Sequence, residues 1–301
     1  MISAAVPVFV WAAADSPYVV VLGIAQDGGV PHALCVKGCC EEAFADPVKR
    51  RRVACLGIVD PVEGKCWLVD ATPDLPVQLR ALQDTGGETP PELAGVLLTH
   101  AHIGHYTGLM FLGREVSGTK NVAVYAMPRM QKVLSNGAPW DQLLKLENIR
   151  LEGLESGKPT KLSERVEITP LSVPHRDEYS ETVGFVIKGP ERSLVFIPDI
   201  DKWGLWSMEI TGVIRAHDYA FLDATFYSDG ELPGRAMSEI PHPFIVESMQ
   251  HFEVLSPQDR ARVHFIHLNH SNPVLQDGSD ARAAVEGAGY KVAERGQRVS
   301  L

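Results

Sequence analysis

Basic residues are in short supply: Lys and Arg number 28 against 38 Asp and Glu, a formal net charge of −10. A surface of that sign repels phosphate backbones and argues against broad nucleic-acid binding. The one basic run, Lys49-Arg50-Arg51-Arg52, is short and leads into a strand-like segment, so it reads as a solvated loop or a local anion contact. Cysteine is scarce too, and the odd count of five leaves at least one thiol outside any disulfide scheme. No stretch reaches transmembrane length. The apolar segment 2–14 runs to about 13 residues, where a spanning helix needs about 20. It ends Ala12-Ala13-Ala14 before Asp15, like an export-signal core and cleavage site, but has no basic n-region. Three readings stay open for it: a trimmed export signal, an N-terminal strand or a vector-derived remnant. Both a cytoplasmic and a periplasmic or secreted location stay open with them. Internal repeats, low-complexity tracts and long Gly/Ser linkers are also missing.

What is present fits an ordinary globular chain, 45% hydrophobic and 22% charged. A length of 301 residues accommodates one large α/β domain or two small ones. Strand-like runs fall at 18–23, 53–59, 66–69, 95–98, 122–126, 166–173, 182–187, 193–197, 219–222 and 263–268. Helical patterns fall at 76–82, 106–116, 128–135, 139–146, 243–252, 257–261 and 281–287. Two strand-rich halves, each followed by helix, predict a layered α/β sandwich with sheets packed together and helices outside. The economical division is a segment 1–17 and one domain over 18–301.

The chemistry concentrates in His100-Ala101-His102-Ile103-Gly104-His105, which follows the apolar run Val96-Leu97-Leu98 and Thr99. A buried strand opening into a loop and helix lets several imidazoles converge above a sheet edge, and imidazole is the usual ligand of zinc and related ions. Further donors stand at strand ends. His175 follows Leu171-Ser172-Val173-Pro174, Asp199 follows Phe196-Ile197-Pro198, and His267 and His270 close the run from Val263. Strand alternation sets His264 on the face opposite His267 and makes it structural. Asp70, after Trp67-Leu68-Val69, suits orienting a ligand histidine through its second ring nitrogen. Cys35, Cys39 and Cys40 form an early cluster open to zinc or to a disulfide. Cys55 and Cys66 sit in strand-like runs as small apolar core residues.

These residues, in this order, resemble the metallo-β-lactamase superfamily, whose mark is His-x-His-x-Asp-His followed by a distant His, a bridging Asp and a last His. The resemblance covers the chain from Tyr18 onward and implies a four-layer αββα sandwich. By residue it implies that His100, His102 and His175 hold a first metal, that Asp199 bridges, and that His105 and His267 belong to a second. Gly104 stands where the family has Asp, which leaves the second ion short of an oxygen ligand unless another residue supplies one. Within the superfamily the run 23–40 is similar to the coenzyme PQQ synthesis protein B group and to phosphonate-pathway cyclic phosphodiesterases, and His270-Ser271-Asn272-Pro273 adds to the first likeness. The likeness to the phosphodiesterases implies a structural zinc on Cys35, Cys39, Cys40 and His270, although the Cys-x3-Cys-Cys spacing departs from the usual Cys-x-Cys-x2-Cys. It also implies His242, in Pro241-His242-Pro243, as a general acid; occupation of the place left by Gly104 and a purely structural histidine are its other readings.

The implied activity is hydrolysis of a small molecule by metal-bound hydroxide. A small phosphodiester is favoured over a lactone or β-lactam. The cofactor is one or two catalytic zinc ions, with manganese or iron as alternatives, besides the structural zinc. Two other classes remain beside it: an iron-dependent oxidoreductase and a non-catalytic metal-binding protein. No nucleic-acid or membrane partner is expected, and a homodimer is compatible with the sequence.

Overall fold

The computed structural model describes residues 15–87 and 89–301. The readings placed on residues 2–14 lie outside them. Two seven-stranded sheets pack face to face. The first holds β1 (Tyr18–Gly23), β2 (Cys55–Asp60), β3 (Lys65–Val69), β4 (Glu92–Leu97), β5 (Val122–Ala126) and β6 (Ile149–Gly153). The second holds β7 (Thr160–Lys161), β8 (Glu167–Ser172), β9 (Val183–Lys188), β10 (Ser193–Ile197), β11 (Tyr219–Asp223), β12 (Val263–Ile266) and β13 (Lys291–Val292). The last strand, β14 (Arg298–Ser300), returns to the first sheet beside β1.

Each sheet begins antiparallel and ends parallel. Strands β1 to β3 pair antiparallel and β3 to β6 parallel, while β7 to β10 pair antiparallel and β10 to β13 parallel. Parallel neighbours need crossover connections, which place helices on the outer faces. The result is the αββα sandwich.

Alternation along the first sheet divides its side chains between two apolar layers. Val19, Val21, Leu56, Ile58, Trp67, Val69 and Leu97 meet Ile168, Phe185, Phe196 and Phe265 of the second sheet between the layers. Their neighbours Val20, Leu22, Cys55, Cys66 and Leu68 face the outer helices with Leu75, Leu82 and Leu109. Cys55 and Cys66 are thus fully buried core thiols. The helix Leu75–Gln83 lies so close that a Cβ on Gly57 would come within 2.4 Å of Leu82 Cδ1.

Several elements differ from the sequence pattern. The run 106–116 gives only the helical turn Ile103–Tyr106 and a 3-10 stretch Thr107–Leu112. Helices Gly38–Ala45 and Ile210–Ala216 carried no clear start signal. Glycine opens the first, and β-branched residues weaken the second as a helical pattern. Edge strand β6 was passed over although its Ile-Arg-Leu-Glu alternation is visible in the chain.

His264 is 2% exposed, stacked on Phe221 with ring centroids 4.6 Å apart, and its Nδ1 accepts from Gln297 Nε2 at 3.0 Å. Burial, aided by Lys291, lowers its pKa to about 3, so the unfolded chain takes up this proton first as pH falls. The stability His264 confers is complete above about pH 6.5 and is lost as pH drops toward the folded value, with a limiting slope of about 1.4 kcal/mol per pH unit. Urea unfolding of His264→Gln should show a stability curve flatter by up to that slope between pH 6 and 4. An unchanged curve would mean that another group carries the dependence.

Candidate metal centre

The donors that the sequence singled out, and Asp70 behind them, leave the ends of strands. Asp70 follows β3, the triple-histidine loop follows β4, His175 follows β8, Asp199 follows β10, and His267 follows β12. These strand ends, parallel except for β8, open into loops above the sheet edge, the usual place for a site in α/β layers. Two of these residues, Asp70 at φ 72° and His267 at φ 66°, sit in the left-handed region that L residues rarely adopt. Such backbone persists where surrounding structure enforces it.

One cluster gathers ligand atoms of His100, His102, His175 and Asp199 within 4.8 Å of one another. A second gathers Asp27, His105 and His267 in the same way. Asp199, 3% exposed, stands between them. Its Oδ1 lies 3.3 Å from His175 Nε2, and its Oδ2 lies 3.4 Å from His100 Nε2, 3.8 Å from His105 Nε2 and 4.0 Å from His267 Nε2. The carboxylate therefore faces both sets, one oxygen to the first and the other shared.

The second ring nitrogens are engaged behind the centre. His105 Nδ1 meets Asp70 Oδ2 at 2.7 Å, His175 Nδ1 meets Asp201 Oδ1 at 3.0 Å, and His100 and His267 pair through Nδ1 with Thr99 and Thr225 Oγ1, each at 3.0 Å. Asp70 is held in turn, its Oδ1 accepting from Thr99 N at 2.9 Å. Those bonds fix each ring with Nε2 toward the centre. His102 is turned the other way, with Nδ1 2.8 Å from His100 Nε2 and Nε2 3.1 Å from Glu178.

The donors fit a metal on an observation independent of their spacing. Asp27 Oδ1, Asp199 Oδ1 and the Nε2 atoms of His105, His175 and His267 are buried without a hydrogen-bond partner. Native interiors satisfy buried polar atoms, and so many unpaired ones aimed at one place call for a cation. Burial, and after it His105, holds the His100 pKa well below its ordinary value, which keeps that imidazole neutral as a ligand must be. Burial opposes charge on Asp199, but His242, His175 and His267 outweigh it and keep the carboxylate ionised.

Asp27, which the sequence pattern did not single out, supplies the oxygen that Gly104 lacks. Its Oδ1 lies 3.1 Å from His105 Nε2 and 3.8 Å from His267 Nε2. A Cβ on Gly104 would fall 2.2 Å from that oxygen and 2.6 Å from Asp27 Cα. The glycine is required because the loop after β1 occupies the room an aspartate side chain would need. The exchange leaves a trace in the chain: a carboxylate in the turn-rich loop Gln26-Asp27-Gly28-Gly29, and a gap in the motif.

His242 therefore does not fill the place left by Gly104. It stands on the other side of Asp199, with Nδ1 3.1 Å from Asp199 Oδ1 and 2.9 Å from Asp223 Oδ2. Burial works against its charge, but Asp223 and Asp199 prevail and raise its pKa to about 9. Asp223, the last residue of β11, also accepts from Thr225 Oγ1 at 2.7 Å. Asp201, Thr225 and Asp223 were not singled out in the sequence, since single polar residues after a strand carry no motif.

The early cysteines form a separate cluster. Sγ atoms of Cys35, Cys39 and Cys40 and a ring nitrogen of His270 all lie within 4.8 Å of one another, and the thiols are free. Cys35 and Cys39 Sγ are 3.8 Å apart. That is about 3.8 Å, the edge of a tetrahedron built on zinc–sulfur bonds of about 2.3 Å. His270 is kept neutral, its pKa lowered to about 4 chiefly by burial, and its Nδ1 pairs with Asn269 Oδ1 at 3.0 Å. All three thiols are within reach, so the unusual spacing is accommodated by the first turn of the helix Gly38–Ala45, on which Cys39 and Cys40 sit.

The family model for the β-lactamase superfamily domain matches residues 67–268. Coenzyme PQQ synthesis protein B of Nitrosococcus oceani is 27% identical over 322 residues, spanning 93% of this chain and 99% of its own. Among solved structures, Zn(2+)-bound PqqB from Methylobacterium extorquens superposes with a TM-score of 0.79 at 23% identity, over 94% of this chain and 100% of that one. A diphosphatase from the PhnP family follows with TM-score 0.65 at 21% identity, over 95% and 97%.

Asp27→Ala should lower affinity for the second ion by more than the roughly 10–100-fold that loss of a ligand's hydrogen-bond partner costs, while Asp70→Asn should stay within that range. Metal titration followed by elemental analysis measures both, and an unchanged ion count in Asp27→Ala would remove it from the centre. Cys39→Ser should abolish one zinc per chain and lower the melting temperature while sparing the catalytic ions. Retention of full zinc content would show that the thiols hold none.

Proposed function

This chain belongs to the β-lactamase superfamily, and from its centre we propose that it is a metal-dependent hydrolase of a small molecule, acting on a small phosphodiester. The observation that carries the reading is the buried Asp199 carboxylate set between two groups of donors whose facing atoms lack partners. Divalent ions bound there would lower the pKa of water from about 15.7 toward about 7 and polarise a phosphoryl oxygen. Zinc suits the imidazole-rich first set, and the zinc of the M. extorquens structure supports that choice. The residues placed to hold the ions are His100, His102, His175 and Asp199 on one side and Asp27, His105, His267 and Asp199 on the other.

The chain's own contribution is orientation and proton transfer. Asp199 offers an acceptor at the boundary of both sets and directs an attacking water toward the bond to be broken. His242 holds a proton at neutral pH, its Nδ1 bonded to Asp223 and lying beside Asp199, and none of its hydrogen bonds uses Nε2. That nitrogen is the proton donor to the departing oxygen. At the rim the Arg176 guanidinium lies 3.2 Å from His102 Nε2 and 3.6 Å from Glu178, half exposed, where it can meet substrate charge. The relatives named for coenzyme PQQ synthesis support a small-molecule substrate, and neither nucleic acid nor membrane enters the reading.

One observation favours a second reading. Asp27, His105 and His267 are a carboxylate and two imidazoles, the donor set of non-haem iron oxygenases. An iron-dependent oxidoreductase is therefore the alternative. Iron-loaded protein that consumes oxygen, and zinc-loaded protein that hydrolyses none of the ester, lactone and β-lactam probes, would establish it in place of hydrolysis.

For the first reading, zinc- and manganese-loaded protein should hydrolyse bis(p-nitrophenyl) phosphate, and His100→Ala should abolish turnover. His242→Gln should lower kcat by about 10²–10⁴-fold with metal content unchanged, as loss of a general acid does. Wild-type turnover in His242→Gln would end its role as the acid, and absence of turnover with phosphodiester, lactone and β-lactam probes would end the hydrolase reading.

A further inference from the structure

The basic run 49–52 plays no part in the metal centre. Its arginines turn instead toward a cleft of about 200 Å³ formed where the loop before β2 meets the turn after β13. Arg50, Arg51, Arg52, Arg282 and Arg295 all line it, in a chain whose overall charge is −10. Of these, Arg282 is accounted for: it pairs with Glu286 at 2.8 Å and with Glu294 and Asp277.

The other four are not. Among the described residues no carboxylate forms a salt bridge with Arg50, Arg51, Arg52 or Arg295. Three of them donate only to carbonyl oxygens, Arg50 to Ala43 at 3.2 Å, Arg51 to Val48 at 3.1 Å and Arg52 to Val77 at 3.1 Å. Arg52 is half-buried, and burial together with the like charge of Arg295 holds its guanidinium below the ordinary value. Asp74 acts on Arg52 from beyond salt-bridge range, and guanidinium groups crowded without a salt-bridged carboxylate repel one another, each presenting a planar fork matched to a phosphoryl oxyanion. The remaining wall holds Asp277 and Glu294, both paired with Arg282, and an apolar strip of Ile24, Val274, Leu275 and Val292.

From these features we propose that the cleft is a second binding site, for a small phosphorylated organic molecule whose phosphoryl group meets the unpaired arginines and whose body lies on the apolar strip. Its volume is below the roughly 300–1,000 Å³ of sites for drug-sized ligands, which limits the occupant to a small monoester. The site lies outside both metal clusters, although Ile24 on its wall is three residues before Asp27.

Calorimetric titration of phenyl phosphate and of inorganic phosphate into metal-loaded full-length protein tests this, with the same titrations on Arg52→Gln/Arg295→Gln. Phenyl phosphate should bind more tightly than inorganic phosphate, weaken as salt rises, and bind at least tenfold more weakly to the double variant, whose metal content and phosphodiester turnover stay unchanged. Arg295→Glu, an exposed position, provides the same comparison if the double variant does not fold. Unchanged affinity in these variants would overturn the proposal. So would equal affinity for the two ligands, or loss of all binding when a chelator removes the metals, which would place the phosphate at the catalytic ions.

Discussion

A carboxylate buried to 3% exposure and kept ionised is the constraint around which this molecule is organised. Among the described residues no arginine or lysine forms a salt bridge with Asp199. What surrounds it are imidazoles, and neutral imidazoles do not discharge a carboxylate. Protonated histidines or divalent cations must do so, since an isolated buried charge is far too unfavourable to persist. His242 carries one positive charge into this environment, and the unpartnered nitrogens of His105, His175 and His267 mark where the rest belongs. The same residues that face the carboxylate are the donors grouped around it.

The sheets make that arrangement affordable in conformational terms. Strands buried on both faces are rigid, and their ends fix the starting point of each ligand loop. The rings are then locked from behind by Asp70, Asp201, Thr99 and Thr225 rather than by the ions themselves. Left-handed backbone at Asp70 and His267 belongs to the same device, because it turns a side chain back over the sheet edge immediately after the strand ends. Donors held in this way need no further ordering to meet an ion.

Much of this was legible in the sequence. His100, His102, His105, His175, Asp199 and His267 could be read because each stands just past an apolar strand, a pattern with a physical cause. The layered sandwich followed from the same alternation of strands and helices. Asp27 could not be read, since its role arises from a long-range coincidence: the first loop folds across the fourth strand's end and takes the space of a missing side chain. Gly104 recorded only that something was absent. His264 behaved as its strand parity required, whereas helix Ile210–Ala216 and edge strand β6 were missed where local signals were weak or short.

The origin of Asp27 in the first described loop and of His267 near the end of the second sheet has a consequence for biosynthesis. On the ribosome the chain emerges from its N-terminus, so the pocket shared by these two residues stays incomplete until nearly all of the polypeptide has been made. The set formed by His100, His102, His175 and Asp199 has every ligand available much earlier. The topology thus orders the two donor sets in time, the one around His100 being synthesised whole before the one that joins Asp27 to His267.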